Sequence, residues 1–298
     1  MSKQSIKCLL EHALSQDGVV ETGVAGVQLF RVSDPVRCAP AVYEPSVVAI
    51  VSGTKEAILD GNSYVYGSDQ YMCCSMSMPV EAGTPAASSD NPLLGVIVSL
   101  ETKVMTELAI EMESAAGAIR RPQNGPLPQG IALSQWDDAF TEALLRLLQL
   151  GDSATDTAVL GEGRLRELYY AVLKGEAGAT ARRAFGVGNE IARAIEFLSS
   201  HVNEPITIED MAAQAGMSRA VFHRKFKQAT TMSPIQFVKA MRLNNAAMKI
   251  AAGMTVNDAA IDVGYISASQ FSREFKRMYG QSPRQWGYAN QPAGPQLN

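Results

Sequence analysis

The sequence predicts an α+β protein in two parts: a small antiparallel β-barrel with a helical segment behind it, then an all-α domain built from two helix-turn-helix units. Three observations predict it. Residues 22–100 carry short β-type runs broken by Gly, Pro and Asn turn signals, the texture of a barrel or jelly roll. From Val104 the pattern lengthens into helices. Residues 207–286 then say one thing twice, and repetition at a fixed period means a repeated supersecondary unit.

A chain of 298 residues has room for two domains, and 46% hydrophobic with 19% charged residues is ordinary globular composition. No apolar run approaches the roughly 18 residues of a membrane span. Met1-Ser2-Lys3-Gln4 also lacks the apolar core of a signal peptide. A soluble cytoplasmic protein with no membrane partner is therefore expected. The net charge of −4 hides an asymmetry: residues 189–298 hold 12 basic against 8 acidic side chains, and residues 1–188 hold 14 against 22. A basic module on an acidic body fits a DNA-binding domain attached to something that does not touch DNA.

In chain order, Ile6, Leu9, Leu10, Ala13 and Leu14 form the apolar stripe of a short helix ended by Asp17-Gly18. Strands are expected at 27–32, 47–52, 56–59, 64–66, 71–76 and 93–100. Asp60-Gly61-Asn62 and Ser52-Gly53-Thr54 both read as tight hairpins, and Pro35, Pro40, Pro45, Pro79 and Pro92 punctuate the rest. Helices are expected at 104–116, 137–150 and 164–173, with a loop at 120–130. The last two helices read as an antiparallel pair with a share in a homodimer interface. The domains are thus residues 1–175 for sensing and dimerisation (barrel about 20–100, helices about 104–175), 176–188 as a Gly/Ala-rich linker, and 189–298.

The repeat carries the functional signal. Thr207 and Thr255 cap short helices, Asp210 and Asp258 are their capping-box partners, and Gly216 and Gly264 end them. Ser218 and Ser267 then start longer second helices. The offset is 48 residues up to the glycine and 49 after it. At about 100 degrees per residue, Phe222 and Phe226 share one side of the first long helix. Ala220, Arg224 and Lys227 share the other, with His223 flanking. In the second, Phe271 and Phe275 point inward, Ser269, Arg273 and Lys276 outward, and Ser272 flanks. One anchored aromatic face and one offered Arg/Lys/Ser face is what a major-groove reader needs: forked donors for guanine edges and cations for phosphates. A merely solvated charged face is the competing reading, and its recurrence inside matched frames argues against it. Ser233-Pro234 opens a strut helix to Ala251 between the copies, about 25 Å long at 1.5 Å per residue. A strut of that size can hold two reading helices about one duplex turn apart.

Gly216-Met217-Ser218, Phe222-His223-Arg224-Lys225-Phe226-Lys227, Ser233-Pro234, Arg242-Leu243, Gly264-Tyr265, Ser269 through Phe275 and Gly280-Gln281-Ser282-Pro283 resemble the DNA-binding domain of AraC/XylS-type transcription regulators, over about residues 189–288. The resemblance implies base reading by Ala220, His223 and Arg224 in the first helix and by Ser269, Ser272 and Arg273 in the second. Phosphate contacts are expected from Ser218, Arg219, Lys227, Ser267 and Lys276. Ala220 is smaller than its counterpart in many relatives and offers at most contact with a thymine methyl. Val42-Tyr43-Glu44-Pro45-Ser46, Gly53-Thr54-Lys55, Leu59-Asp60-Gly61, Tyr64, Tyr66 and Met78-Pro79-Val80 are similar to the cupin-like N-terminal domain of one subgroup of those regulators, over about residues 20–175. That implies a small-molecule sensor whose binding residues, within 20–100, are unspecified.

Catalysis finds no support. The three histidines, His12, His201 and His223, lie outside the barrel segment, so no His-containing metal site can form inside it. No Gly-rich phosphate loop or nucleophile elbow occurs. No catalytic residue, metal or cofactor is expected. The expected partners are an operator in double-stranded DNA, a small-molecule effector and a second copy of the chain, with RNA polymerase as a further candidate. Two alternatives stay open: a regulator sensing electrophiles or redox change through Cys73 or Cys74, and a cupin-type enzyme with a DNA-binding appendix. Cys8, Cys38, Cys73 and Cys74 lack metal-type spacing, and adjacent Cys73 and Cys74 on a strand would face opposite ways.

Overall fold

The computed structural model describes residues 2–115, 130–186 and 189–290. Helix α1 (Ser2–Ala13) buries Ile6 and Leu10, one turn apart. Nine strands follow: β1 (Gly18–Glu21), β2 (Val27–Val32), β3 (Val36–Tyr43), β4 (Ser46–Ser52), β5 (Thr54–Leu59), β6 (Asn62–Gly67), β7 (Gln70–Cys74), β8 (Met78–Thr84) and β9 (Leu93–Ser99). After α2 (Thr102–Ala115) comes β10 (Ile131–Gln135), which returns to the sheet beside β7. All pairings are antiparallel, in two sheets ordered β1-β2-β9-β4-β7-β10 and β3-β8-β5-β6.

The period of two along a strand divides the core. Val47, Ala49, Tyr71 and Cys73 turn to a helical layer, while Val48, Ile50, Met72 and Cys74 turn to the second sheet. With both faces covered, β4 reads as a continuous apolar run rather than an alternating one. The covering layer is α1, α3 (Asp138–Leu148), α4 (Ala154–Lys174) and α5 (Gly178–Phe185). Asp137 and Ser153 cap α3 and α4 by accepting from Phe140 N and Asp156 N. Tyr71 stacks on Phe140 at 4.4 Å between ring centroids.

The rest is helical: α6 (Glu190–Ser200), α7 (Ile208–Gln214), α8 (Arg219–Thr230), α9 (Pro234–Ala251), α10 (Val256–Asp262), α11 (Ala268–Tyr279) and α12 (Pro283–Asn290). The core of the first helix-turn-helix is continuous with the core between the sheets. Ile195, Met211, Phe222, Phe226 and Phe237 belong to one cluster with Met78 and Val80 of β8 and Met76 of the turn before it. The second has a separate core of Leu243, Ile250, Val263, Phe271, Phe275 and Trp286.

Several sequence expectations change. Ser52-Gly53-Thr54 is not a hairpin: β4 pairs with β7 and β9, and β5 with β6 and β8, so Gly53 carries the chain from one sheet to the other. Its φ is +77°, and a Cβ there would meet the Leu93 backbone at 2.9 Å. Asp60-Gly61 does make the β5–β6 hairpin, Leu59 opposite Asn62. Strands β3 and β8 contain Pro40 and Pro79, which read as punctuation. Pro40 is tolerated because β3 is an edge strand, and Pro79 lies outside the β8–β5 ladder of Glu81–Gly83. The second helix of the pair is longer than expected, beginning at Ala154, and the stretch 176–188 contains α5. The expected loop falls, but for Gly130, outside the described residues.

Candidate nucleic-acid interface

Each repeat builds the same frame. Thr207 accepts from Asp210 N while Asp210 accepts from Thr207 N at 2.9 Å, a closed capping box; Thr255 accepts from Asp258 N in the second copy. Asp210 is held below the usual carboxylate range by the Thr207 hydroxyl and amide. Gly216 (φ +62°) and Gly264 (φ +83°) make the left-handed turns. Ser267 caps α11 by accepting from Gln270 N, whereas Ser218 stands at the cap position of α8 without a side-chain cap bond.

The aromatic anchors are fully buried: Phe222 against Phe226, Phe226 edge-on to Phe237, Phe271 against Phe275 and Tyr265. Their burial fixes the rotation of each reading helix and so decides which side chains face out. Ala220, His223, Arg224 and Lys227 on α8, and Ser269, Arg273 and Lys276 on α11, are exposed; Ser272 is half-buried. Among the described residues Arg224, Lys227, Arg273 and Lys276 are in no ion pair. Exposed Arg219 pairs with exposed Glu209 at 2.8 Å, a surface contact worth little and readily exchanged for a phosphate. Both faces are therefore open, with their cations unspent. Ser218 and Ser267 are exposed at the two helix starts, where a phosphate would meet free amides.

The strut fixes the pair. Ser233 and Gln236 form a capping box at its start, Pro234 occupies the first turn, and its 18 residues span about 27 Å at 1.5 Å each. Lys239 reaches Glu274 of α11 at 3.3 Å, and Glu274 also accepts from Tyr265 at 2.8 Å. Arg242 donates to the carbonyls of Val202 and Glu204 at 2.9 and 2.5 Å, tying the strut to the loop before α7. Trp286 donates from its indole to Ala247 O at 3.1 Å, fastening α12 to the same strut.

Sequence reading missed the residue that joins this module to the sheets. Asn244 of α9, 2% exposed, donates to Ala41 O of β3 at 2.8 Å and Val80 O of β8 at 2.9 Å, and accepts from the Tyr279 hydroxyl of α11 at 2.7 Å. The available signal was an amide on the apolar stripe Phe237, Met241, Ala247, where burial demands polar partners.

The cysteines fall as their strand parity requires, Cys73 in the helix-facing core and Cys74 between the sheets. Burial pushes the Cys73 thiol up to about 12 and raises Cys74 further, which removes the thiolate that reactive cysteines use. The acidic residues of the sheets do not gather: Glu44 accepts from Ser77, Glu56 from Ser63, and Asp69 pairs with Lys3. Among the described residues no group of His, Cys, Asp and Glu could hold a metal ion, and no helix is long and apolar enough to cross a membrane.

Two helix-turn-helix units on one strut, each with an open cationic face, define a DNA-binding protein. The chain belongs to the AraC-type transcriptional regulators: the family model of their N-terminus matches residues 23–180, and a helix-turn-helix domain model matches 211–288. The regulatory protein SoxS of Salmonella typhimurium is 30% identical over 90 residues, 30% of this chain and 84% of that one. The regulator MtrA of Neisseria gonorrhoeae is 39% identical over 80 residues, 26% of this chain and 27% of that one. Among solved structures, ToxT of Vibrio cholerae O395 bound to (E)-4-(8-methylnaphthalen-1-yl)but-3-enoic acid shares the fold with a TM-score of 0.59. It is 14% identical over 88% of this chain and 97% of that one. ToxT of strain SCE256 bound to an unsaturated fatty acid has a TM-score of 0.53, at 10% identity over 91% of this chain and 97% of that one.

Proposed function

We propose that this regulator reads an operator through two successive major grooves, and that a small molecule bound by its N-terminal domain alters that reading. The observation that carries it is the repeated exposure of an arginine opposite a buried phenylalanine pair, Arg224 on α8 and Arg273 on α11. Arg224 and Arg273 are the forked readers. Ala220, His223, Ser269 and Ser272 complete the base contacts, and Ser218, Arg219, Lys227, Ser267 and Lys276 hold phosphates. The effector role is supported by the match to the AraC-type N-terminus and by the ligands of ToxT, a fatty acid and an arylbutenoic acid, in the same fold.

A homodimer doubles the DNA contacts. Its support is the outer face of α4, where Val159 (74% exposed) and Tyr170, three turns apart, stand in solvent. RNA polymerase is a further partner, and the chain acts as a regulator without catalysis in the cytoplasm.

The test is selection of a bound site from random duplexes, followed by fluorescence anisotropy with single-base variants. Arg224→Ala and Arg273→Ala should each cost about 1–3 kcal/mol on the selected site and relax preference at one or two positions. Equal losses on every sequence would remove the base-reading role.

A further inference from the structure

We infer that Ile266 is a specificity-determining residue of the second reading unit, packing its side chain on the C5-methyl group of a thymine in the major groove. The inference rests on the reading above, that α11 enters a groove, and adds an apolar contact that the polar face of α11 does not make. The two repeats match bond for bond as far as the residue after the glycine. Gly216 N donates to Ala213 O and Gly264 N to Ile261 O, both at 2.9 Å. Met217 N donates to Ala212 O and Tyr265 N to Ala260 O, again at 2.9 Å. In the first unit Ser218 follows at once and α8 begins; in the second, Ile266 stands between Tyr265 and Ser267. The change of offset from 48 to 49 residues is therefore this single isoleucine.

Tyr265 takes the place of Met217, each turned toward the core of its own unit, and the Tyr265 ring lies edge-on to Phe271. Ile266 is left outside. It is 104% exposed, more than any other large apolar side chain among the described residues. It stands at the rim of a cleft of about 430 Å³ that Ile235, Lys239 and Gln270 also line, and nothing there covers it. Its position decides what does. Ile266 directly precedes Ser267, the cap of α11, and the N-terminal residues of a recognition helix are those that meet base edges. Exposed Ser269, Arg273 and Lys276 follow along the helix, and the two cations draw DNA to this surface. The apolar group that a major groove presents is the thymine methyl. The contact also supplies discrimination that α11 otherwise lacks. A serine hydroxyl both donates and accepts, so Ser269 and Ser272 distinguish bases poorly and Arg273 is the one forked reader on their face. An isoleucine against the groove floor separates thymine from cytosine, which has no methyl group.

The test uses the whole chain and the selected duplex, with each thymine replaced in turn by deoxyuridine, which removes the methyl group alone. Fluorescence anisotropy should find a thymine, in the half relaxed by Arg273→Ala, whose replacement weakens wild-type binding about fourfold, the worth of one buried methyl group. Ile266→Ala should weaken binding to the intact duplex by at least as much and lose all response to that replacement. Ile266→Val should keep a response. Both variants should melt with the wild type, because a side chain in solvent supports no packing. The inference is overturned if no thymine loses its response in Ile266→Ala, if Ile266→Ala binds as the wild type does, or if it loses equally on selected and unselected duplexes. The scan also keeps this contact apart from the two-groove reading. If Arg273→Ala costs the same on every sequence while Ile266→Ala still abolishes the response at one thymine, the arginine reading fails and the methyl contact stands.

Discussion

Asn244→Ala tests how the sensing half is joined to the reading half. The substitution removes two N–H···O bonds to Ala41 and Val80 and the O–H···O bond from Tyr279. At about 0.5–1.5 kcal/mol net for each bond, the loss is about 2–4 kcal/mol. Asn244→Leu keeps the volume and loses the same bonds, separating hydrogen bonding from packing. Tyr279→Phe removes one bond and should cost about 1 kcal/mol, with a coupling of similar size to Asn244→Ala in a double-mutant cycle. The two tryptophans make the assay specific, because Trp136 lies in the core under the helical layer and Trp286 in the core of the second helix-turn-helix. Urea unfolding of Trp136→Phe and Trp286→Phe backgrounds then reports each half by itself. In Asn244→Ala the Trp286 transition should move to lower urea and separate from the Trp136 transition. If both move together, or neither moves by more than about 0.5 kcal/mol, the amide is not the joint and the reasoning fails.

Lys227→Ala and Lys276→Ala should weaken binding to all duplexes alike and each reduce the slope of log K against log salt by about 0.9, read from anisotropy at several salt concentrations. Gly216→Ala should cost about 1–2 kcal/mol for its left-handed backbone alone, since nothing lies within 4 Å of the added carbon. Gly264→Ala should cost at least about 1 kcal/mol more, because the same carbon would sit 2.6 Å from Asn203 O; thermal melts giving equal shifts would contradict this. With the Cys73 thiol pushed up to about 12, roughly one molecule in ten thousand carries the thiolate at pH 8. Iodoacetamide under native conditions should therefore label exposed Cys8 first and Cys73 and Cys74 only after unfolding, by peptide mass mapping. Native labelling of the buried pair would revive the cysteine-sensing reading.

What the sequence made legible was local. Thr207 with Asp210, Ser233 with Pro234, and the glycines at 216 and 264 announce caps and turns because each acts within a few residues of itself. The phenylalanine pairs announce the buried face for the same reason, through the helical period. What stayed hidden depended on partners far along the chain. Ser52-Gly53 looks like a hairpin turn until the distant strands β7, β8 and β9 claim the strands on either side. Pro40 and Pro79 look like breaks because tolerance of a proline depends on which neighbour needs its missing donor. Asn244 bonds to residues 203 and 164 positions earlier, a separation no local pattern encodes.

The two reading units are attached to the sheets by different physics, and that difference bears on how a signal reaches DNA. Phe237 and Met241 of α9 lie in a cluster continuous with Met78 and Val80 of β8, so the first unit cannot leave the sheets without exposing apolar side chains there. Exposing even two such side chains costs several kcal/mol, at roughly 1.5–3 kcal/mol each. The second has its own core, against which the sheets place the small Ala39 of β3, and it meets them through α9, where Asn244 takes the strand carbonyls and the Tyr279 hydroxyl. Hydrogen bonds exchange with water at a small net cost, whereas a shared apolar core does not. A ligand that shifts the sheets would therefore release or reorient the second unit before the first. Arg273 and its neighbours become the adjustable half of the interface, and Arg224 and its neighbours the constant half. Measured on a selected site, effector dependence should concentrate in the half read by α11. Effector dependence concentrated in the α8 half would invert the assignment of which core is the rigid one.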